Sequence, residues 1–302
     1  MKSAPSFDAV DLEAGADVPD GPSGGFGLTT LWTLYVLTLR QHLHGKRWMI
    51  IGALFLLPAG LAVLMRVMDP KEPSVSLEFA LAFMLIPQAL LPLAALLYAT
   101  GVIEDELEEQ TITYLLIRPI SKWALYLVKM LATVTTTVLL TVVFTVLTYL
   151  AIFVGGDTPA ATVLSRCFTA VSIHCTAVCT YSCLFGLISL LTKRSLIGSI
   201  LYILVFEWLL GNLPLAIRLI TVIYYTRLIA YRTLPFVTPD PGSQNIAAEK
   251  WQFDIKSDPN LLEHPQLAIC WIVLVAGSVA FTLLAAFLCS RREFYVKTPE
   301  KG

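Results

Sequence analysis

Apolar residues gather into six long runs along this chain, separated by shorter charged or proline-bearing stretches. The runs extend approximately over Trp48–Val67, Phe79–Val102, Leu125–Val154, Arg166–Leu191, Leu196–Leu213 and Leu267–Ser290. A bilayer core about 30 Å thick takes about 20 helical residues to cross, and lipid cannot satisfy a bare backbone amide. The pattern therefore predicts an all-α integral membrane protein with six transmembrane helices.

A seventh apolar segment, Leu215–Tyr231, carries Arg218 and Arg227 in its interior. A central arginine costs about 2.5–3.5 kcal/mol on insertion scales. A seventh span would also move Arg291 and Arg292 to the outer face. The segment is therefore predicted as a re-entrant or interfacial helix after the break at Gly211-Asn212-Leu213-Pro214, inside an outer loop over 214–266. Ahead of the first span, Leu28, Leu31, Trp32, Tyr35, Leu39 and Leu43 recur at helical spacing, with Thr29, Thr30, Thr33, Arg40, Gln41 and His44 on the other side. An amphipathic helix over 28–47 in the inner interface follows, either a simple anchor or an elbow that fixes how the first span enters the bundle.

Composition agrees with this reading: 56 % hydrophobic and 14 % charged residues, with mean hydropathy +0.73, exclude an ordinary soluble domain. Residues 1–27 set Asp8, Asp11, Glu13, Asp17 and Asp20 among glycines and prolines and are predicted as a disordered acidic tail. Nothing before residue 48 has the basic start and short apolar run of a secretory signal. With the N-terminus in the cytoplasm, thirteen of the 21 basic residues fall inside, among them Arg40, Lys46, Arg47, Lys193, Arg194, Arg291 and Arg292. Five of the other eight share one long outer loop, where the positive-inside rule is weak, so both termini, including the tail over 291–302, are predicted cytoplasmic.

Between the second and third runs, IEDELEEQTITYLLIRPISKWALYLVKMLA is too charged at its start for lipid and too apolar later for a free loop. Glu104, Asp105, Glu106, Glu108 and Glu109 suit the first turns of a helix, and Pro119 ends it. Lys122 and Lys129 then flank the return into lipid as snorkelling cations would. A short helix, a sharp turn and a long helix at the membrane surface can transmit a push from a soluble motor. The stretch resembles the coupling motif of ABC-2 type permeases, membrane-spanning subunits of ABC transporters. Glu106, Thr111, Ile112, Leu115, Leu116, Pro119, Ile120, Ser121, Lys122 and Lys129 stand in the motif's places in order, while Gln110 and Val128 stand where the family has glycine. The six-span layout, the leading elbow helix and the broken fifth span extend the resemblance over most of the chain.

The resemblance implies a permease subunit in a bacterial inner (plasma) membrane, pairing with a second permease subunit as a homodimer. Its coupling segment, 103–123, would dock on an ABC ATPase through Glu106, Thr111, Leu115, Pro119, Ser121, Lys122 and Lys129. Export is the commoner direction in that family. The chain is not expected to be an enzyme or to hold a cofactor, ATP and Mg being bound by the partner ATPase, and no nucleic-acid partner is expected. Its Gly-Lys dipeptide, Gly45-Lys46, is followed by Arg47 and lacks the preceding glycine of a phosphate-binding loop.

Inside the spans, Glu207, Arg218 and His174 are the polar candidates. Glu207 lies about 18 Å from the inner end of the fifth run, past the midplane. Intramembrane carboxylates either pair structurally or mark a path, and Arg218 could be its partner if Pro214 folds the chain back. Cys175, Cys179 and Cys183 form a stripe beside His174, but three thiols spread over about 12 Å of helix cannot share one metal ion. Small residues at this spacing, including Thr137, Thr141 and Thr145, read as helix packing, and no metal is expected. Two other function classes stand beside the permease. One is an intramembrane enzyme, which lacks any HExxH, GxSxG or paired-carboxylate signature. The other is a non-transporting, mechanotransmitting scaffold that binds an ATPase through 103–123. The substrate is not legible in the spans.

Overall fold

A computed structural model describes residues 28–69, 73–102, 121–156, 158–192, 194–213, 216–237, 245–251 and 264–291. Among them the chain is helical almost throughout, with one isolated antiparallel bridge between Val237 and Asn245. The helices are α1 (Leu28–His44), α2 (Lys46–Met68), α3 (Ser74–Ala99), α4 (Lys122–Phe153), α5 (Ala160–Leu191), α6 (Ser195–Asn212), α7 (Val222–Thr233), α8 (Ile246–Trp251) and α9 (Leu267–Arg291). Six of them, α2 to α6 and α9, are long and apolar enough to cross a membrane.

The centre is the pair α4 and α5, each of 32 residues and so about 48 Å long. They are joined through a turn in which Gly155 has φ +77°, a left-handed conformation that glycine adopts without a Cβ clash. This turn marks the far end of the bundle. α3 and α9 pack on α5, α9 also touches α4, and α1 and α2 lie along α4. At the near end, Tyr126 and Met130 of α4 meet Cys183 and Leu187 of α5 and Ala285 and Cys289 of α9.

α3 and α6 are not regular α-helices. Each contains a π-helical stretch, Glu78–Leu90 in α3 and Ile203–Leu209 in α6, and each stretch holds a fully buried carboxylate, Glu78 and Glu207. A π turn inserts an extra residue per turn and locally re-aims the side chains around it, a recurrent feature of functional positions. After α6 a 3₁₀ turn, Ala216–Ile220, leads into α7. Twelve residues make α7 about 18 Å long, well short of a bilayer core. It starts against Glu207 in the bundle interior, and just past its end the Pro235 carbonyl meets Arg166 near the start of α5, at the far end.

The helix α1 turns Leu34, Tyr35, Thr38 and His42 toward the bundle. Tyr35 donates to Thr135 at 3.1 Å, and His42 shares a hydrogen bond with Thr133 at 3.1 Å. Trp32, on the apolar side read from the sequence, is instead 66 % exposed. The packed face is thus rotated toward the polar residues, where the Thr133 and Thr135 hydroxyls of α4 meet Tyr35 and His42.

Candidate functional site at the broken fifth span

Glu207 sits in the π-helical stretch of α6, wholly shielded from solvent. A carboxylate so placed must find donors or lose its charge. It finds four. Tyr181 of α5 donates to Oε2 and Tyr202 of α6 to Oε1, both at 2.9 Å. The backbone amides of Val222 and Ile223, the first two residues of α7, donate at 3.1 and 3.0 Å. Those amides have no intrahelical partner, and the helix macrodipole places partial positive charge there, so Glu207 closes the N-terminus of α7 electrostatically as well as sterically. Thr221 completes the cap, its hydroxyl accepting from Tyr224 N.

The return of the chain depends on close approach. A Cβ on Gly211 would lie 2.7 Å from Ile223 Cγ2, so only glycine lets the end of α6 lie against α7. One turn further along α7, Arg227 donates to the Gly211 carbonyl at 3.2 Å, to Asn212 Oδ1 at 3.0 Å and to Gln88 Oε1 of α3 at 3.2 Å. A carboxylate of α6 and a guanidinium of α7 thereby bind α3, α5, α6 and α7 into one unit. Such an arrangement fixes α7 to α6.

Residues 43–231 match the family model described as ABC-2 family transporter protein. The chain belongs to this family. A comparison with curated proteins found no match. As an ABC-2 permease it is a multi-pass membrane protein, and membership implies coupling to an ABC ATPase.

The sequence candidates fall in different places in the permease. Arg218 does not reach Glu207: the carboxylate is held by hydroxyls and amides, and the Arg218 guanidinium lies 5.3 Å over the Tyr224 ring. The pairing expected from Pro214 is replaced because the fold-back presents the helix N-terminus, not the arginine, to the acid. His174 of α5 is fully buried, bonded through Nδ1 to Thr145 of α4 at 3.2 Å and 5.6 Å from the Phe83 ring of α3. It locks three helices at mid-depth. Of the cysteine stripe, Cys183 is buried and Cys175 and Cys179 are half-buried, while their neighbour Thr180 bonds Ser278 of α9 at 3.0 Å. Thr137, Thr141 and Thr145 are all buried on α4.

Of the residues expected to couple to an ATPase, Glu106, Thr111, Leu115 and Pro119 lie outside the described residues. Ser121 directly precedes α4, Lys122 is its first residue, and Lys129 is buried two turns in. The sequence reading missed Tyr181, Tyr202, Gln88 and the role of Arg227. Tyrosines within apolar runs carry no mark of their partner, whereas Arg227, a cation inside an apolar segment, was a signal read only as evidence against a span.

Proposed function

We propose that this ABC-2 permease exports its substrate across a bacterial inner membrane, working as a homodimer and driven by ATP hydrolysed on a separate ABC ATPase subunit. The observation that carries the reading is the family match over 43–231, which includes the coupling-motif residues Glu106 to Lys122 in order. With both termini cytoplasmic, the far end of the bundle is the outer end, and α1 lies at the inner surface as an elbow.

In this mechanism ATP binding closes the two ATPase subunits and shifts the segment over 103–123. Ser121 and Lys122 pass the shift into α4, a single helix that continues to the outer end without a proline. From α4 it reaches α5 through Thr145 and His174, and α3 through Tyr149 and Glu78. Glu207 makes α7 follow α6, so the fifth span and its re-entrant helix move as one body. The chain's own part is mechanical and electrostatic, and hydrolysis belongs to the partner.

Affinity purification from the native membrane in mild detergent tests this. Wild type is expected to recover an ABC ATPase, and a Glu106→Arg, Pro119→Ala double variant to lose it while remaining folded. A folded wild type that brings down no ATPase would overturn the reading. Recovery of the ATPase without ATP-driven movement of any substrate would favour the mechanotransmitting scaffold.

A further inference from the structure

The second buried carboxylate lies at the far end and was not visible as a site in the sequence. Glu78 opens the π-helical stretch of α3 and is fully buried. Tyr149 of α4 donates to its Oε1 at 2.6 Å. Arg166 of α5 donates through Nε at 2.8 Å and Nη2 at 2.6 Å to Oε2, a two-pronged charge-assisted pair, with a further Nε contact to Oε1 at 3.1 Å. The same guanidinium donates through Nη1 and Nη2, both at 3.2 Å, to the Pro235 carbonyl and lies 5.7 Å over the Phe236 ring.

Pro235 and Phe236 belong to the segment after α7 that covers this end. Phe236 is fully buried among Phe79, Phe83 and Trp251, with ring centroids 5.4, 5.2 and 6.0 Å away. Ile246 N donates to the Phe236 carbonyl at 3.0 Å, which ties α8 to the same cover. Trp251 Nε1 reaches Met84 Sδ of α3 at 3.1 Å. One ion pair thus joins three spans and the covering segment, at the end where α4 turns into α5.

We propose that Glu78 and Arg166 form an outer latch: the pair holds the ends of α3, α4 and α5 together beneath Pro235, Phe236 and α8, and it must part for the outer side of the permease to open. This rests on the transport reading for its role and on the ion pair alone for its existence. A pair buried with its hydrogen bonds filled is stable dry and together, or wet and apart. Dry and apart, each ion keeps its desolvation penalty with nothing to offset it. Intermediate separations are therefore unfavourable, and the outer end has two states rather than a continuum, the property a gate requires. Neutralising one partner leaves the other as an uncompensated buried charge, and the end opens to water.

Cys167 provides a native reporter. It follows Arg166 on α5, is 9 % exposed, and faces a cleft of about 340 Å³ between α4 and α5 lined by Tyr149, Leu150, Phe153, Val163 and Leu164. The other five cysteines are changed to alanine, and the full chain, without any ATPase, is reacted in sealed membranes with a membrane-impermeant maleimide. Glu78→Gln and Arg166→Gln are each expected to raise the Cys167 labelling rate at least tenfold. The swap Glu78→Arg with Arg166→Glu is expected to return it to within threefold of the parent. Single variants that remain monodisperse and label at the parent rate would overturn the latch, whatever becomes of the transport reading.

Should the charge variants fail to fold, Phe236→Ala decides. The latch predicts a rate within threefold of the parent, because the ion pair still holds the ends. A tenfold rise would place the seal in the aromatic cover and overturn the proposal.

Discussion

Among the described residues, the buried carboxylates Glu78 and Glu207 are satisfied by different chemistries, and the difference sets what mutation should do. Glu207 is held by two phenols and two helix-end amides, so its neighbours can be trimmed one at a time. Tyr181→Phe removes one hydrogen bond to a charged group and is expected to cost about 1.5–3 kcal/mol. Its apparent melting temperature in detergent should fall, and should fall less for Tyr202→Phe, whose hydroxyl is only partly buried. Because Arg218 is no partner of Glu207, combining Glu207→Arg with Arg218→Glu should not rescue either single reversal; recovery of melting temperature in the double variant would contradict this geometry. Glu78 behaves otherwise. Removing one member of its buried pair with Arg166 is expected to cost about 3–5 kcal/mol, more than removing both together as Glu78→Leu with Arg166→Met. A double variant less stable than either single would count against that account.

At the scale of elements, the close approach of α6 to α7 through Gly211 is the most exposed to test. Gly211→Val must displace Ile223, and overpacking of this kind costs about 1–3 kcal/mol. The expected result is a lower melting temperature together with protease sensitivity at the connection between α6 and α7; an unchanged digest would show that α7 does not depend on that contact. The six apolar runs were legible because lipid demands length and apolarity, which composition records directly. The π stretches were not, since an apolar run reads the same with or without an extra residue per turn. The second apolar run is read from Phe79, which leaves Glu78 just before it. Helix α3 nevertheless begins at Ser74, as Arg166, far along the chain, neutralises that charge. Glu207 was legible as a site by its mere presence in a span, but its partners were not, because backbone amides carry no sequence signal.

Across the whole molecule, the structure is a chain of mechanical links. α4 begins just after the segment proposed to couple to the ATPase, is braced by α1 through Thr133 and Thr135, meets α5 at His174 and reaches Glu78 at the far end. The surface of α1 that meets α4 could not be read from its own amphipathic pattern, because polar residues pack well against a partner that presents hydroxyls. The central claim is that this series of links is driven from 103–123 by an ABC ATPase. The most direct measurement places a photo-crosslinking amino acid at Leu115 in the native membrane, with a second at Trp48 as control. The account predicts a light-dependent adduct between the Leu115 position and an ABC ATPase, absent from the control. Adducts at Leu115 with lipid alone, or with a protein that hydrolyses no ATP, would contradict it.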